Sequence, residues 1–387
     1  MSKLIIFLFV GLAVAKDPKP VKTGAAPAHG VKTPGILIPY GSLKSEVEIT
    51  LDAPPAGFLF TDAIAFTGDA GIRRFDAKTN KPFEPTRDIA GVEKPCGGLL
   101  NAFSFVWTAS CGKASLAKLE MQPAVRGGGP GGGRRGGRPE GAAAETPDAA
   151  KPAEAAAAAK PVDAPKPEPV KIAPPKPPAP PAFIETGSTP VAITALAASE
   201  DSIWMLSDAK TALLRIDPIA NLIVAEMRLP AACSSILYAE TALWVTCPTE
   251  SRLLRIDPKT NLVDKRIDIP KEPVSLAAGE SSIWVLCRKE GKIARIDPKT
   301  NKVSATIELN IPNADGMIAF GEGALWASTP GFPVMRITPG NDKVAQQFHG
   351  EGGGILHFGL GSVWVSSAKS KSVFRFDPKR IQATLGD

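Results

Sequence analysis

Histidine and carboxylate residues that stand close together in the sequence are the first candidates for chemistry. His349 is followed two positions later by Glu351, and Gly352, Gly353 and Gly354 come directly after. Imidazole and carboxylate groups at this spacing could form part of a metal site or an acid–base pair, and glycines let a ligand approach the backbone closely. The sequence favours a simpler interpretation, a polar loop that enters a crowded inner strand, so both residues are candidates only.

The remaining chemistry-bearing residues are few. The 387-residue chain holds three histidines, two tyrosines and five cysteines, which argues against a zinc cluster, an iron–sulfur centre or a histidine relay. His29 stands in a low-complexity tail, and His357 falls in a predicted inner strand, where a core role is expected. The net charge of +6 is thinly spread and does not demand a nucleic acid or an anionic membrane as partner. We therefore predict no resident metal or cofactor.

Tryptophan spacing reveals an internal repeat of about forty residues. Five tryptophans recur at intervals of 40, 40, 42 and 38, and each is followed ten or eleven positions later by an arginine, usually in an Arg-x-Asp-Pro motif. Upstream, Trp107 with Lys118, and Arg74 with its Lys-Thr-Asn turn, extend the count to seven units. The five plain repeats contain Trp204 and Arg215, Trp244 and Arg255, Trp284 and Arg295, Trp326 and Arg336, and Trp364 and Arg375.

Each unit consists of four short runs that alternate or are apolar, separated by turn residues. Four short antiparallel strands per forty residues, repeated seven times, predict an all-β fold, a seven-bladed β-propeller of four-stranded blades; a solenoid is the alternative. The strand at 46–51 resembles the fourth strand of a unit, so we expect it to complete the last blade. The repeated tryptophans are expected to fill the interfaces between blades, and the Asp-Pro segments to form turns.

In a propeller, the connections between blades share one face with the turns between the second and third strands. We call this face the mouth and treat its charged residues as candidate binding residues. Their signs are mixed, so no dominant ligand charge follows. The candidates are Glu250, Arg288, Lys289, Glu290, Asp315, His349, Glu351 and Lys369.

The cysteines pair by their offsets from the repeated tryptophans. Cys96 and Cys233 each precede a tryptophan by eleven residues, while Cys111 and Cys247 follow those tryptophans by four and three. A residue at the start of the first strand faces one at the end of the second, so we predict disulfides Cys96–Cys111 and Cys233–Cys247. Cys287 meets a proline at the partner position and is expected to be a buried free thiol; a reshuffled pairing with a neighbouring blade is the alternative.

The ends and one internal stretch have non-globular compositions. Residues 1–15 resemble a secretory signal peptide, since Lys3 precedes an apolar run and an Ala-Val-Ala site. Residues 16–44 and 122–181 are expected to be disordered, which leaves 45–121 and 182–387 for the propeller, with 122–181 inserted in one hairpin. We predict a periplasmic or secreted monomer without a transmembrane helix, whose basic Pro-rich segment contacts cell-wall polymer; nucleic acid is disfavoured.

The repeat motifs resemble a known group of secreted propellers. Ser-Ile-Trp-Val-Leu at 282–286, Gly-Lys-Ile-Ala-Arg-Ile-Asp at 291–297 and the Lys-Thr-Asn turns are similar to repeats of the virginiamycin B lyase (streptogramin lyase) superfamily and of YVTN-type propellers. The resemblance covers all seven units and neither tail. In the lyases a magnesium ion and a His and Glu set act on the mouth face, often with a Glu shortly after the blade Trp. Here the third residue after each Trp is Ser110, Ser207, Cys247, Cys287, Thr329 or Ser367.

Two functional hypotheses result. The first is a non-enzymatic exported propeller that binds a protein partner or a small ligand at its mouth. The second, implied by the resemblance, is a magnesium-dependent lyase or lactone-opening enzyme that uses His349 and Glu351. A convergence of carboxylates around His349 would distinguish the second hypothesis from the first.

Overall fold

The computed structural model of the protein describes residues 29–51, 57–60, 63–68, 71–82, 92, 94–120, 182–187, 195–207 and 211–382. The predicted signal peptide and the insertion at 122–181 lie outside these ranges. In chain order the first strands are β1 Leu37–Pro39, β2 Val47–Thr50, β3 Gly57–Phe60, β4 Ala63–Gly68, β5 Gly71–Asp76, β6 Pro95–Ala102, β7 Phe105–Ser110, β8 Ser115–Leu119, β9 Ala182–Glu185, β10 Leu196–Ala198, β11 Ile203–Leu206, β12 Ala212–Asp217, β13 Leu222–Arg228 and β14 Ser235–Ala239.

The second half of the chain continues the same pattern of short strands and turns. Short 3₁₀ helices lie at Tyr40–Ser42 and Pro248–Glu250, and helix α1 spans Pro378–Gln382. No helix in the described ranges is long and apolar enough to cross a membrane. The strands are β15 Ala242–Cys247, β16 Arg252–Asp257, β17 Leu262–Asp268, β18 Pro273–Gly279, β19 Ser282–Cys287, β20 Lys292–Asp297, β21 Lys302–Glu308, β22 Met317–Gly321, β23 Ala324–Thr329, β24 Phe332–Thr338, β25 Lys343–His349, β26 Leu356–Gly359, β27 Ser362–Ser367 and β28 Ser372–Phe376.

These strands form the blades of a β-propeller. Blades 1 to 5 are β6–β9, β10–β13, β14–β17, β18–β21 and β22–β25, each with its four strands antiparallel and in sequence order. Blade 6 contains β26, β27, β28 and β2, and β3–β5 form a three-stranded sheet. The first strands of successive sheets contact one another from β3 through to β26. The rings of Phe58 in β3 and His357 in β26 lie 4.9 Å apart, so the last blade neighbours the three-stranded sheet.

The number of complete blades differs from the sequence-based prediction. Six four-stranded blades are present in the described residues, where seven were predicted, because the unit that contains Arg74 supplies three strands. After β5 only an isolated bridge joins Phe75 to Pro82, and residues 83–91 lie outside the description. The prediction of seven four-stranded blades is therefore corrected to six, with a three-stranded sheet beside them.

The N-terminal strand completes the last blade, as predicted. β2 pairs antiparallel with β28, and Val47 stands opposite Arg375 while Thr50 stands opposite Ser372. Ile49 of β2 is buried in a cluster with Trp364 and Val373. A segment from the start of the chain thus forms the outer strand of the final blade.

Residues 29–44 were expected to be disordered and instead have a defined structure. β1 adds to the outer edge of blade 5 and runs parallel to β25, with Leu37 opposite Gln347. The backbone N–H of Val31 donates to Oε1 of Gln347, whose Nε2 donates to the carbonyl of Leu309. Ile36 and Leu37 pack against the apolar core of blades 4 and 5. The sequence analysis missed the apolar run at 36–38 because the residues around it are rich in Lys, Pro and Gly.

The tryptophans fill the spaces between blades, as predicted. All six side chains have no exposed surface. Five of their indole N–H groups donate to a carbonyl five residues earlier, at the turn between the first and second strands, whereas Trp204 donates to the Ser199 hydroxyl. Burial of so large a flat side chain with its single donor satisfied stabilises each interface. The sequence-based assignment to structure rather than ligand binding is consistent with this burial.

In three blades the basic residue opposite the tryptophan also links that blade to the next one. Arg295 stands opposite Trp284 in the ladder, and its guanidinium carbon lies 4.9 Å from the indole centroid. Its Nη1 donates to the Pro339 carbonyl and to Asp342 Oδ1 in the β24–β25 turn of the next blade, at 2.9 and 3.0 Å. Lys118 of blade 1 and Arg215 of blade 2 reach the corresponding turns of blades 2 and 3.

The Asp-Pro motifs form the turns after the third strands. Asp257 accepts the backbone N–H of Lys259, and Asp297 accepts that of Lys299. These N–H donors lower the pKa of both carboxyls. The predicted turn role of the motif is thus seen in its hydrogen bonds.

Candidate functional site

Charged loops of the mouth pair with one another across blade boundaries. Arg288 follows β19, and its Nη2 lies 3.0 Å from an Oε of Glu272 in the connection that leads into the same blade. Its Nη1 also approaches Asp315 in the following connection, at 3.7 Å. Lys289 lies 3.9 Å from the other oxygen of Glu272. Positive and negative groups of these loops are therefore neighbours on one face, and their charges largely cancel.

Two further acidic candidates have partners within their own blade. Glu250 lies 3.1 Å from Arg252. Glu290 accepts the backbone N–H of Lys271 and forms an ion pair with Lys292. The Lys271 N–H and the Lys292 ammonium lower the pKa of Glu290. Exposed pairs of this kind contribute little to stability.

His349 and Glu351 do not converge on a common point. His349 is the last residue of β25 and stands opposite Pro39 of β1, which covers that edge. Glu351 points to the neighbouring blade, and both of its carboxylate oxygens lie 2.8 Å from Lys369 Nζ. Both partners are open to solvent, at 80% and 76% exposure. In the described ranges no three His, Cys, Asp or Glu side chains are grouped as a metal would require.

A cleft of about 400 Å³ lies between blades 5 and 6, next to this ion pair. Pro333, Phe374 and Tyr40 supply apolar surface, and Ser367 and Ser370 add hydroxyl groups at the side. Burial, and secondarily the charge of Glu48, raises the pKa of Tyr40, so its phenol remains neutral.

Glycine is required where the cleft meets the backbone. Gly353 has φ +96°, and a Cβ there would lie 2.1 Å from the carbonyl oxygen of Thr329. Gly352, at φ +103°, also lines the cleft. The Gly-rich connection thus gives a concave wall made of backbone, as the sequence suggested for ligand approach.

The cleft residues supplied by the N-terminus and by β28 were missed by the sequence analysis. Tyr40 belongs to the segment assigned to disorder, and Phe374 belongs to a repeat in which apolar residues were expected to be core. The one available signal was Tyr40 itself, since it is one of only two tyrosines and follows an apolar run.

Both predicted cysteine pairs lie at disulfide distance. The Cα atoms are 5.8 Å apart in Cys96–Cys111 and 4.0 Å apart in Cys233–Cys247. Cys96–Cys111 ties the first strand of blade 1 to the residue after its second strand, and Cys233–Cys247 ties the connection that enters blade 3 to the end of β15. Cys287 is a buried free thiol opposite Pro273, as predicted. Burial raises its pKa to about 12, which disfavours the reactive thiolate.

Comparison with solved structures identifies proteins of similar fold. A streptogramin B lyase superposes with a TM-score of 0.56 at 18% identity, covering 85% of this chain and 96% of that one. Virginiamycin B lyase from Staphylococcus aureus gives 0.56 at 16% identity, covering 85% and 97%. The Pan2 WD40 domain of Neurospora crassa gives 0.55 at 12% identity, covering 86% and 96%.

The similarity is one of fold alone. No protein-family model matches the chain. No curated protein matches it either. These proteins differ in function and share less than one fifth of their residues with this chain. The similarity therefore shows the propeller fold, and the activity has to be argued from the site.

Proposed function

We propose that the protein is an exported, non-enzymatic β-propeller that binds a small ligand or an exposed side chain of a protein partner at its mouth. The observation that carries this proposal is the cleft between blades 5 and 6. An apolar floor from Tyr40, Pro333 and Phe374 lies beside the solvent-exposed pair Glu351–Lys369. Concave apolar sites with a few placed polar groups are the usual form of ligand pockets.

The lining indicates the kind of ligand. An aromatic or branched aliphatic group fits the apolar floor, and a single charge on the ligand would replace one partner of the Glu351–Lys369 pair. Breaking this pair costs little because both side chains are exposed. We therefore expect amphiphilic ligands with one apolar group and one charged group.

The alternative is a magnesium-dependent lyase, which the fold similarity favours. The residues present do not fit the ion well. Glu351 is held by Lys369, and His349 ends a strand whose edge is covered by β1.

Several finer features belong to the same proposal. The three-stranded sheet β3–β5 would occupy the seventh blade position of the ring. Residues 1–15 would direct export to the periplasm or the exterior, where the cysteine pairs at disulfide distance would be oxidised. The chain would act as a monomer, its basic Pro-rich stretch would touch cell-wall polymer, and nucleic acid would not be a ligand.

Calorimetric titration of the purified mature protein tests the cleft. The probes are N-acetylphenylalanine, phenylalaninamide, N-acetylleucine and leucinamide, which vary the apolar group and the sign of the charge. Ser370→Trp would fill the cleft, and Ser304→Trp, on the exposed outer strand β21, is the matched control.

Binding of any probe with Kd below about 1 mM that weakens at least tenfold in Ser370→Trp alone supports the proposal. Absence of binding by all four probes, or binding that Ser370→Trp leaves unchanged, overturns it. A parallel titration with Mg²⁺ tests the alternative: tight binding lost in both His349→Ala and Glu351→Gln would favour the lyase.

A further inference from the structure

The ion pair beside the cleft is arranged as a carboxylate bound to an ammonium group. Glu351 stands in the connection between blades 5 and 6, and both of its carboxylate oxygens lie 2.8 Å from Nζ of Lys369 in the β27–β28 turn. Both residues line the cleft, next to its apolar floor of Tyr40, Pro333 and Phe374. Lys369 therefore already holds a carboxylate at the position where the charged end of a ligand would lie.

The groups around Lys369 can donate hydrogen bonds to an anion. Ser367 and Ser370 stand in the same β27–β28 turn and also line the cleft. Ser367 Oγ accepts the backbone N–H of Ser370 at 3.3 Å, so the hydroxyl proton of Ser367 points away from that bond and is available to another acceptor. A Cβ at Gly352 would lie 3.9 Å from Ser367 Oγ, which places this hydroxyl opposite the backbone wall of the cleft. An anion at Lys369 would therefore meet hydroxyl donors beside the ammonium.

The surroundings of Glu351 offer less to a cation. Its neighbours in the chain are Gly350 and Gly352, which have no side chain to add a second acceptor. The carbonyl of Gly352 already accepts the N–H of Gly331 at 3.0 Å. A ligand cation in place of the lysine ammonium would have Glu351 as its charged acceptor with glycines on both sides, whereas a ligand carboxylate in place of Glu351 would have an ammonium and two hydroxyls. The lining of the cleft is therefore asymmetric and favours an anion.

Glu351 can leave Lys369 without a rearrangement of the backbone. The N–H of Gly350 donates to the carbonyl of Gly331 at 2.9 Å, and the N–H of Gly331 donates to the carbonyl of Gly352 at 3.0 Å. These two hydrogen bonds fix the main chain on both sides of Glu351. Its side chain is 80% exposed, so rotation about its own bonds carries the carboxylate into solvent. An exposed ion pair contributes little to stability, so a ligand can replace it at small cost.

We propose that the ligand of this cleft is an organic acid whose carboxylate replaces Glu351 on Lys369, and that Glu351 is a built-in competitor of this ligand. The inference rests on the proposed binding function and deepens it by assigning the charge of the ligand. The aromatic or branched aliphatic group of the acid packs on the apolar floor, and its carboxylate accepts hydrogen bonds from Lys369 and the two serine hydroxyls. The displaced carboxylate of Glu351 stays near the site, so its negative charge weakens the binding of an anionic ligand.

Calorimetric titrations of the full mature chain with probes of different charge test this assignment. The probes are the anionic N-acetylphenylalanine, the cationic phenylalaninamide and the neutral N-acetylphenylalaninamide, together with the corresponding leucine derivatives. Glu351→Gln removes the competing carboxylate, and Lys369→Gln removes the ammonium. Glu280→Gln and Lys299→Gln make the same chemical changes in exposed turns of blade 4 on the face opposite the mouth, and they are the matched controls.

In the unmodified chain the anionic probe is expected to bind more tightly than the neutral probe, and the cationic probe more weakly. Glu351→Gln should tighten binding of the anionic probe by about three- to fivefold and leave the neutral probe unchanged, since only the anion competes with the carboxylate. Lys369→Gln should weaken binding of the anionic probe by about fivefold and abolish its advantage over the neutral probe. Both control variants should keep the affinities of the unmodified chain.

Several outcomes would overturn the inference and leave the binding cleft itself in place, as long as Ser370→Trp still blocks binding. These are equal affinities for the three charge types, tighter binding of the cationic probe, and weaker binding of the anionic probe in Glu351→Gln. An equal gain in Glu280→Gln also overturns it, because net charge alone would then explain the effect. If no probe binds, or if Ser370→Trp leaves binding unchanged, the proposed function fails and the inference fails with it.

Discussion

Arg295 Nη1 in blade 4 donates a hydrogen bond to Asp342 Oδ1 in blade 5, at 3.0 Å, across the boundary between the two blades. The same nitrogen also reaches the Pro339 carbonyl. Arg255, one repeat earlier, forms its ion pair with Asp264 of its own blade instead. Equivalent residues thus differ in whether they join blades.

Replacing Arg295 should therefore destabilise the fold more than replacing Arg255. Arg295→Ala removes two inter-blade hydrogen bonds and is expected to lower the free energy of unfolding by about 1–3 kcal/mol. Arg255→Ala should cost about 1 kcal/mol less, because it removes only contacts within a blade. Urea denaturation of both variants measures the difference. Equal losses would show that the inter-blade bonds contribute nothing.

The packing of Phe320 on Gly279 gives a second prediction. A Cβ at Gly279 would lie 2.1 Å from Phe320 Cδ1, so Gly279→Ala should displace the ring and cost about 1–3 kcal/mol. A Cβ at Gly340 would have no heavy atom within 4 Å, so Gly340→Ala is the matched control. Thermal unfolding should show a lowered Tm for the first variant alone, and a similar Tm for both would contradict the packing.

The cysteine pairs provide a third prediction. Cys233→Ser with Cys247→Ser opens a loop with a sequence separation of 14 residues, and the expected loss is about 3 kcal/mol of unfolding free energy. In the folded protein, Cys287 should react with a thiol reagent only after denaturant is added, since it is buried with a raised pKa. Rapid labelling of one thiol in the native protein would contradict this assignment.

Stability should fall with acidity because of His357. Burial lowers the pKa of His357 to about 4, from an ordinary value of 6.5. Between these two pH values the unfolded state binds a proton at this imidazole and the folded state does not. The free energy of unfolding is therefore highest above pH 6.5 and decreases as the pH falls to 4, by at most roughly 3 kcal/mol.

His357→Phe keeps the ring contact with Phe58 and removes the titration, so its stability should change less over the same interval. Denaturant titrations at pH 7, 6, 5 and 4.5 compare the two slopes. Parallel curves for the two proteins would exclude His357 as the cause.

The repeat made most of the fold predictable. A tryptophan and a basic residue recur in register because they stand opposite each other in the ladders of six blades, as Trp284 and Arg295 do. The same offsets placed the cysteines near the ends of strands. The closure of the last blade by β2 was predicted because the strand at 46–51 resembles the fourth strand of a unit and lacks the other three. The three-stranded sheet was not predicted, because Arg74 and its turn suggested a complete unit of four strands.

The candidate site was only partly predictable. The sequence indicated which turns hold Arg288 and Lys369, because alternation fixes where each strand ends. Their partners Glu272 and Glu351 stand 16 and 18 residues away, and such pairing depends on loop conformation. Tyr40 was missed because the average composition of residues 16–44 conceals a short apolar run. In the structure this run packs against blade 5.

The pairing of β2 with β28 determines the order in which the molecule can be assembled. Blades 2 to 5 take their four core strands from one continuous stretch each and can form from local hairpins as the chain is synthesised. Blade 6 joins residues 47–50 to 372–375, the contact of greatest sequence separation among the blades. Its completion must wait until residue 375 has emerged, after the strands of all the other blades, so we expect ring closure to be the late, slow step of folding.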